Sequence, residues 1–397
     1  MNLKAKQTRG YRGFAFFSFG FRPFFLGGAV VAALAPALTA LAYSGAIVVG
    51  EPFGVIAYHA HEMIFGYVGA VVAGFILTAV SNWTARPPIT GLRLAMLFGL
   101  WATGRIAMGA AWAIGVHSAA FLDALFLIIV FIIVCREVVA GKNWRNAPIC
   151  VALGMFASAN VLWHLGVLSG GGSQFGYRWG VAVIALLLGL IGGRITPSFT
   201  LNWLAKTDRK TFDTAVGIID KIALGSLGLA LAAWLVAPVT KFTGLLLIIA
   251  AFFHLARLSR WKGWRTTAEP LVAILHVGYL WLPVSLLLLG ASVLNPVLIA
   301  PSTAIHALTA GAAGVMTLAV MTRATLGHTG RTLHADKMTV LIYMLVNIGA
   351  GARLVAPLFP EIYGFALIGA SMLWSMAFVL FAIVYGRYLI TPKNVAV

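Results

Sequence analysis

The chain is poor in charge and poorer still in acid: 10% of its 397 residues are charged, with 10 Asp and Glu against 28 Lys and Arg. So few charges exclude an ordinary water-facing globular surface. So few carboxylates exclude a carboxylate-caged di-iron centre, because the acids within or bordering apolar runs are few, chiefly Glu62, Asp123, Asp220, Glu269 and Glu361. Cysteine is limited to Cys135 and Cys150, which excludes a disulfide framework and a cysteine-rich zinc or iron–sulfur site. Soft-metal chemistry would then rest on His and Met. Loops longer than about 25 residues are missing, so no soluble core can form and the chain reads as one integral membrane domain, 1–397, with a short cytoplasmic segment 1–20. A cleavable signal is also missing, since the first apolar run, from Phe24, is too long for one.

What the sequence has is hydrophobicity: 61% of residues, in recurring runs of about 20 that suit bilayer-crossing helices. The expected fold is all-α, a polytopic membrane bundle of twelve transmembrane helices near 24–49, 57–82, 91–114, 118–139, 147–168, 177–197, 216–236, 241–258, 269–293, 297–322, 337–357 and 362–390. With both termini cytoplasmic, every Lys and Arg except Arg105, Arg178, Lys241 and Arg353 falls on the inner side, as the positive-inside rule requires. The net charge of +18 spread over those loops indicates topology and contact with anionic lipid of the bilayer, not a nucleic-acid surface. Asn82-Trp83-Thr84-Ala85-Arg86 ends the second span and Asn202-Trp203-Leu204-Ala205-Lys206 ends the sixth, with Thr322-Arg323 ending the tenth. This spacing is compatible with a pseudo-threefold repeat of four-helix units.

The densest chemistry is Tyr58-His59-Ala60-His61-Glu62-Met63 at the start of the second span. Ionisable and ligating groups in a span are costly to bury and by default functional. His59 and Met63 share a helical face, whereas His61 points away by roughly 200°. The plain alternative is that these side chains meet headgroups and water. The remaining histidines fall at two depths. His61, His164 and His306 lie in the outer half, with His59 at the rim and His117 in an outer loop; His254 and His276 lie toward the inner end, with His328 and His334 beyond the tenth span.

Imidazole suits iron, copper and zinc. Haem with His ligands, with or without His-ligated copper, fits best, the alternative being that each buried His bonds a backbone carbonyl. We expect an outer copper or gas-reactive site from His61, His164 and His306, joined by His59 and Met63, with Glu62 as proton donor and Arg105 beside it. We expect His254 and His276 as axial ligands of one b-type haem. Arg194, Arg323 and Arg331 are candidate propionate partners and His328 a ligand or proton relay, against the alternative of a basic anchoring loop or snorkelling cations.

Several blocks together resemble the NnrS family. They are Phe19-Gly20-Phe21-Arg22-Pro23-Phe24-Phe25-Leu26, the run from His59-Ala60-His61-Glu62-Met63 to Arg86-Pro87, Leu100-Trp101 with Gly104-Arg105, Gly193-Arg194-Ile195-Thr196-Pro197-Ser198-Phe199-Thr200, and Met321-Thr322-Arg323-Ala324-Thr325-Leu326-Gly327-His328-Thr329-Gly330-Arg331. The resemblance implies a twelve-span bacterial inner-membrane protein that carries haem and copper and acts in the response to nitric oxide. Two function classes stay open: a redox enzyme reducing nitric oxide to nitrous oxide with electrons from a quinol or redox protein, and a carrier of copper, haem or a metal–nitrosyl complex. A non-catalytic nitric oxide sensor or scavenger is the third possibility.

Overall fold

The computed structural model describes Tyr11, residues 13–207 and residues 217–393; positions 1–10 and 12 of the expected segment 1–20 lie outside the described residues. The apolar runs fold as helices because backbone N–H and C=O groups in hydrocarbon must be satisfied within the segment. No strand occurs among the described residues. The long helices are α1 (Phe21–Tyr43), α2 (Val55–Thr84), α3 (Gly91–Gly109), α4 (Val116–Ala140), α5 (Ala147–Leu168) and α6 (Gln174–Lys206). They continue as α7 (Ile218–Val236), α8 (Lys241–Ser259), α9 (Pro270–Leu294), α10 (Pro301–His328), α11 (Lys337–Val355) and α12 (Tyr363–Ile390).

Eleven helices among the described residues are long and apolar enough to cross a membrane, so this is a multi-pass membrane protein. The expected span near 91–114 is the exception. It forms α3, 19 residues long, and Arg93 and Arg105 within so short a helix dilute its apolarity. The Arg105 face is needed for the site described below.

The chain divides into two compact units. The first comprises Met1–Gly180, Ala324–Thr332 and Phe378–Val397; the second comprises Val181–Arg323 and Leu333–Ala377. In the first unit, buried Arg22 donates to the carbonyls of Tyr388, Leu389 and Thr391 at 3.2, 2.8 and 2.7 Å. A cation on the unpaired carbonyls of a helix C-terminus satisfies both partners and complements the dipole.

The three helices that the expected repeat aligns, α2, α6 and α10, each contain a π-helical segment: Glu62–Val68, Leu188–Gly192 and Ala307–Ala313. A π-turn loosens the regular backbone ladder, and such turns concentrate at functional sites. Here each segment lends a carbonyl to a side-chain donor. Trp101 Nε1 bonds Gly66 O at 3.0 Å, Arg257 Nη1 bonds Gly189 O at 2.8 Å, and Trp374 Nε1 bonds Ala310 O at 3.2 Å. Each such bond contributes about 0.5–1.5 kcal/mol.

Candidate metal centre

In the first unit, four helices converge on one buried polar cluster. α2 supplies His61 and Glu62, α3 supplies Arg105, α4 supplies Asp123, and α5 supplies Asn160 and His164. Asn160 and His164 are four apart and so share a face of α5. His61 is 0% exposed, and Glu62, Asp123, Asn160 and His164 are buried with it. His61 Nε2 lies 3.1 Å from Asp123 Oδ2 and 3.1 Å from Asn160 Oδ1, and His164 Nε2 lies 2.8 Å from the same Asp123 Oδ2. Arg105 donates to Glu62 Oε1 at 2.7 Å and pairs with Asp123 Oδ1.

The protons can be assigned from this geometry. Glu62 Oε1 lies 3.2 Å from His61 Nδ1, and an ionised carboxylate only accepts, so Nδ1 carries the hydrogen. In neutral His61 the Nε2 lone pair then faces two further acceptors, because Asn160 spends its amide hydrogen on Asp123 Oδ2 at 2.9 Å. Three acceptors meeting at one point require a positive occupant, a metal ion or a proton. The charge balance agrees: Glu62 and Asp123 against Arg105 leave one negative charge uncompensated when both imidazoles are neutral. One ligand atom each from His61, Asp123 and His164 falls within 4.8 Å of the others. Four-coordinate ions with metal–nitrogen bonds near 2.0–2.1 Å hold their ligand atoms roughly 3.4 Å apart, so only small shifts close the site. Glu62 on Nδ1 is the carboxylate–histidine arrangement that orients a ligating imidazole.

The surroundings are fitted to this cluster. A Cβ at Gly66 would lie 2.5 Å from Arg105 Nη1 and 3.1 Å from Glu62 Oε2, so glycine lets the guanidinium reach the carboxylate across α2. A Cβ at Gly104 would meet the Asp123 Cα at 3.2 Å. Trp163, fully buried, lies over His61 with ring centroids 4.4 Å apart and edge-on to His164 at 5.0 Å. The apolar ring keeps water away from the imidazoles, which strengthens every charge interaction inside.

The other predicted outer ligands go elsewhere. His59 Nδ1 bonds Thr39 Oγ1 at 3.0 Å, consistent with its pointing away from His61. Met63 is half-buried in the π segment, two residues along the chain from His61. His306 belongs to the second unit, where its Nδ1 lies 2.7 Å from the Ser302 carbonyl. Glu62, expected as a proton donor, is engaged as an acceptor by Arg105 and His61.

The second unit has its own buried network around Asp220. Arg257 donates to Asp220 Oδ1 and to the Tyr279 hydroxyl, both at 2.8 Å, and Arg260 donates to Asp220 Oδ2 at 2.6 Å. His254 Nε2 lies 3.0 Å from the Ala223 carbonyl, which can only accept, so Nε2 carries the hydrogen and Nδ1 takes the Tyr279 hydroxyl proton at 2.8 Å. Both ring nitrogens of His254 are therefore used within the protein. His276 Nε2 bonds Thr200 Oγ1 at 2.8 Å, and a single carbon added at Gly263 would lie 2.6 Å from His276 Nδ1. As placed, His254 leaves no ring nitrogen for an axial position, whereas the buried His276 Nδ1 has no hydrogen-bond partner. Arg323 stacks over the Phe199 ring at 4.1 Å, and Arg194 is exposed. In the first unit, His328 packs against Phe19 and Phe21 at 6.4 and 5.3 Å, and Arg331 lies 3.9 Å over the Tyr388 ring. The Arg331 guanidinium pKa is lowered by burial.

The family described as NnrS protein matches residues 15–393, nearly the whole chain. The chain belongs to the NnrS family. Comparison with curated proteins gives no match. In this NnrS-family chain the sequence motif His59-Ala60-His61-Glu62-Met63 thus divides by placement: His61 and Glu62 enter the cluster, and His59 bonds Thr39. Sequence reasoning found His61, His164, Glu62 and Arg105 but missed Asp123 as the point of convergence, and missed Asn160. A signal for both existed. A single Asp in an otherwise apolar span needs a partner, and Asn160 shares the His164 face.

Proposed function

We propose that the chain is a bacterial inner-membrane protein of the nitric oxide response that holds a redox-active metal ion on His61, Asp123 and His164. Its strongest support is the His61 Nε2 lone pair facing the oxygens of Asp123 and Asn160, a geometry that calls for a cation. Two imidazoles and one carboxylate suit copper or non-haem iron. When bound, such an ion would offer an open coordination position to nitric oxide and a route for electrons. The net reaction joins two nitric oxide molecules with two electrons and two protons to give nitrous oxide and water, the electrons coming from a quinol or a redox protein. The chain's own residues have defined parts: Glu62 holds the His61 Nδ1 hydrogen, Arg105 pairs with both Glu62 and Asp123 and offsets one of their two charges, Asn160 orients Asp123, and Trp163 excludes water. No step is assigned to haem, because His254 leaves no ring nitrogen for it.

Metal analysis of the purified protein, followed by nitric oxide difference spectra and nitrous oxide production with an artificial electron donor, tests this. The expected result is one ion per chain, a nitrosyl signal and turnover, all lost in His61→Ala. A nitrosyl signal without turnover would assign the protein as a sensor instead. Metal-free protein after loading would overturn the proposal.

A further inference from the structure

The two cysteines of the chain stand across from each other on the hairpin that carries the metal-site residues. α4 and α5 are antiparallel neighbours joined by a short turn, and their register can be read at three levels. Asp123 meets His164 at the first level. At the second, a Cβ at Gly154 would lie 3.0 Å from the Phe131 ring. One turn nearer the joining loop, the same register sets Cys135 opposite Cys150, each one helical turn from the Phe131–Gly154 contact. Both are free thiols and only part-buried, so a small reagent can reach them.

We propose that Cys135 and Cys150 form a reversible thiol–disulfide pair that staples α4 to α5 under oxidation by a peroxide. One thiol is oxidised to a sulfenic acid as the peroxide is reduced to water. The second sulfur then attacks it, forming the S–S bond and releasing a second water, so two thiols and one peroxide give one disulfide and two waters. Facing positions on closely packed antiparallel helices suit the disulfide requirement of Cα atoms about 5.5–6 Å apart and a sulfur–sulfur bond of roughly 2.05 Å. The pair lies 12 residues along α4 from Asp123, about 18 Å by helical rise, so it is separate from the metal centre. The staple would nevertheless hold together the two helices that present Asp123, Asn160 and His164. In a reducing compartment such a bond is transient, as suits a sensor of oxidants rather than a structural crosslink.

The test is thiol counting. Purified full-length protein is treated with hydrogen peroxide, unfolded in SDS, and labelled with a polyethylene glycol maleimide that retards the chain once per free thiol. Wild type should pass from the doubly labelled to the unlabelled band without accumulating a singly labelled one. Dithiothreitol should restore both labels, and mass spectrometry should find the peptides containing Cys135 and Cys150 linked. In Cys135→Ser, the remaining thiol should be lost in a form that dithiothreitol restores poorly, because a lone sulfenic acid proceeds to sulfinic acid. Accumulation of the singly labelled band in wild type would overturn the proposal. So would retention of both labels under peroxide that oxidises the SDS-unfolded chain. Neither result depends on metal content.

Discussion

His61 Nε2 and Asp123 Oδ2, 62 positions apart in sequence, lie 3.1 Å apart with no water-accessible surface on the imidazole. A buried lone pair held against a carboxylate is unfavourable unless a metal ion or a proton lies between them, and the variants below separate the two.

Replacing Asp123 by Asn keeps the side-chain shape and removes the charge on which both imidazoles converge. Metal retained after dialysis should fall at least tenfold. Arg105 would keep Glu62 as a balancing partner and lose one charge-assisted bond, so stability should drop by about 1.5–3 kcal/mol. Metal stoichiometry and thermal denaturation check the two effects separately.

Replacing Glu62 by Gln retains an acceptor for His61 Nδ1–H but removes its charge. Changes to such supporting partners cost about 10–100-fold in metal affinity. A competition titration with a chelator measures it; unchanged affinity would show that Glu62 does not orient His61.

Gly66→Ala places a carbon 2.5 Å from Arg105 Nη1. Overpacking of this kind costs about 1–3 kcal/mol, and displacement of Arg105 should also weaken metal binding. Trp101→Phe, which removes the bond to the Gly66 carbonyl and part of a buried ring, should cost about 1–3 kcal/mol and leave metal content intact. Comparing the two melting curves separates crowding at the ion pair from loss of the π-segment bond.

Tyr279→Phe removes the hydroxyl that joins His254 to Arg257. Leaving buried polar groups unpaired should destabilise the protein by about 1–3 kcal/mol. Metal content at the first unit should not change. Loss of a haem absorption band in His254→Ala and His276→Ala would restore these two residues as a ligand pair.

Much of this was legible in the sequence. Apolar run length gave the membrane class, and histidine depth along the spans paired His61 with His164. Depth is read from residue count, but direction around the helix axis is not, and this is why His254 and His276 were grouped although His254 turns both ring nitrogens to other partners. The π segment at Glu62–Val68 was invisible for the same reason: periodicity assumes 3.6 residues per turn, and the wider turn is set by tertiary contacts such as Trp101 to Gly66 O. Asp123 was legible as a partner for Arg105, but its meeting with both imidazoles depends on how α4 and α5 are rotated against each other.

X-ray absorption at the metal edge of purified protein, with metal counted per chain, tests the central claim most directly. The account predicts one ion with two imidazole nitrogens and a carboxylate oxygen among its nearest ligands, lost in His61→Ala and in His164→Ala and kept in His306→Ala. Full occupancy with unchanged ligation in both of the first two variants would contradict it.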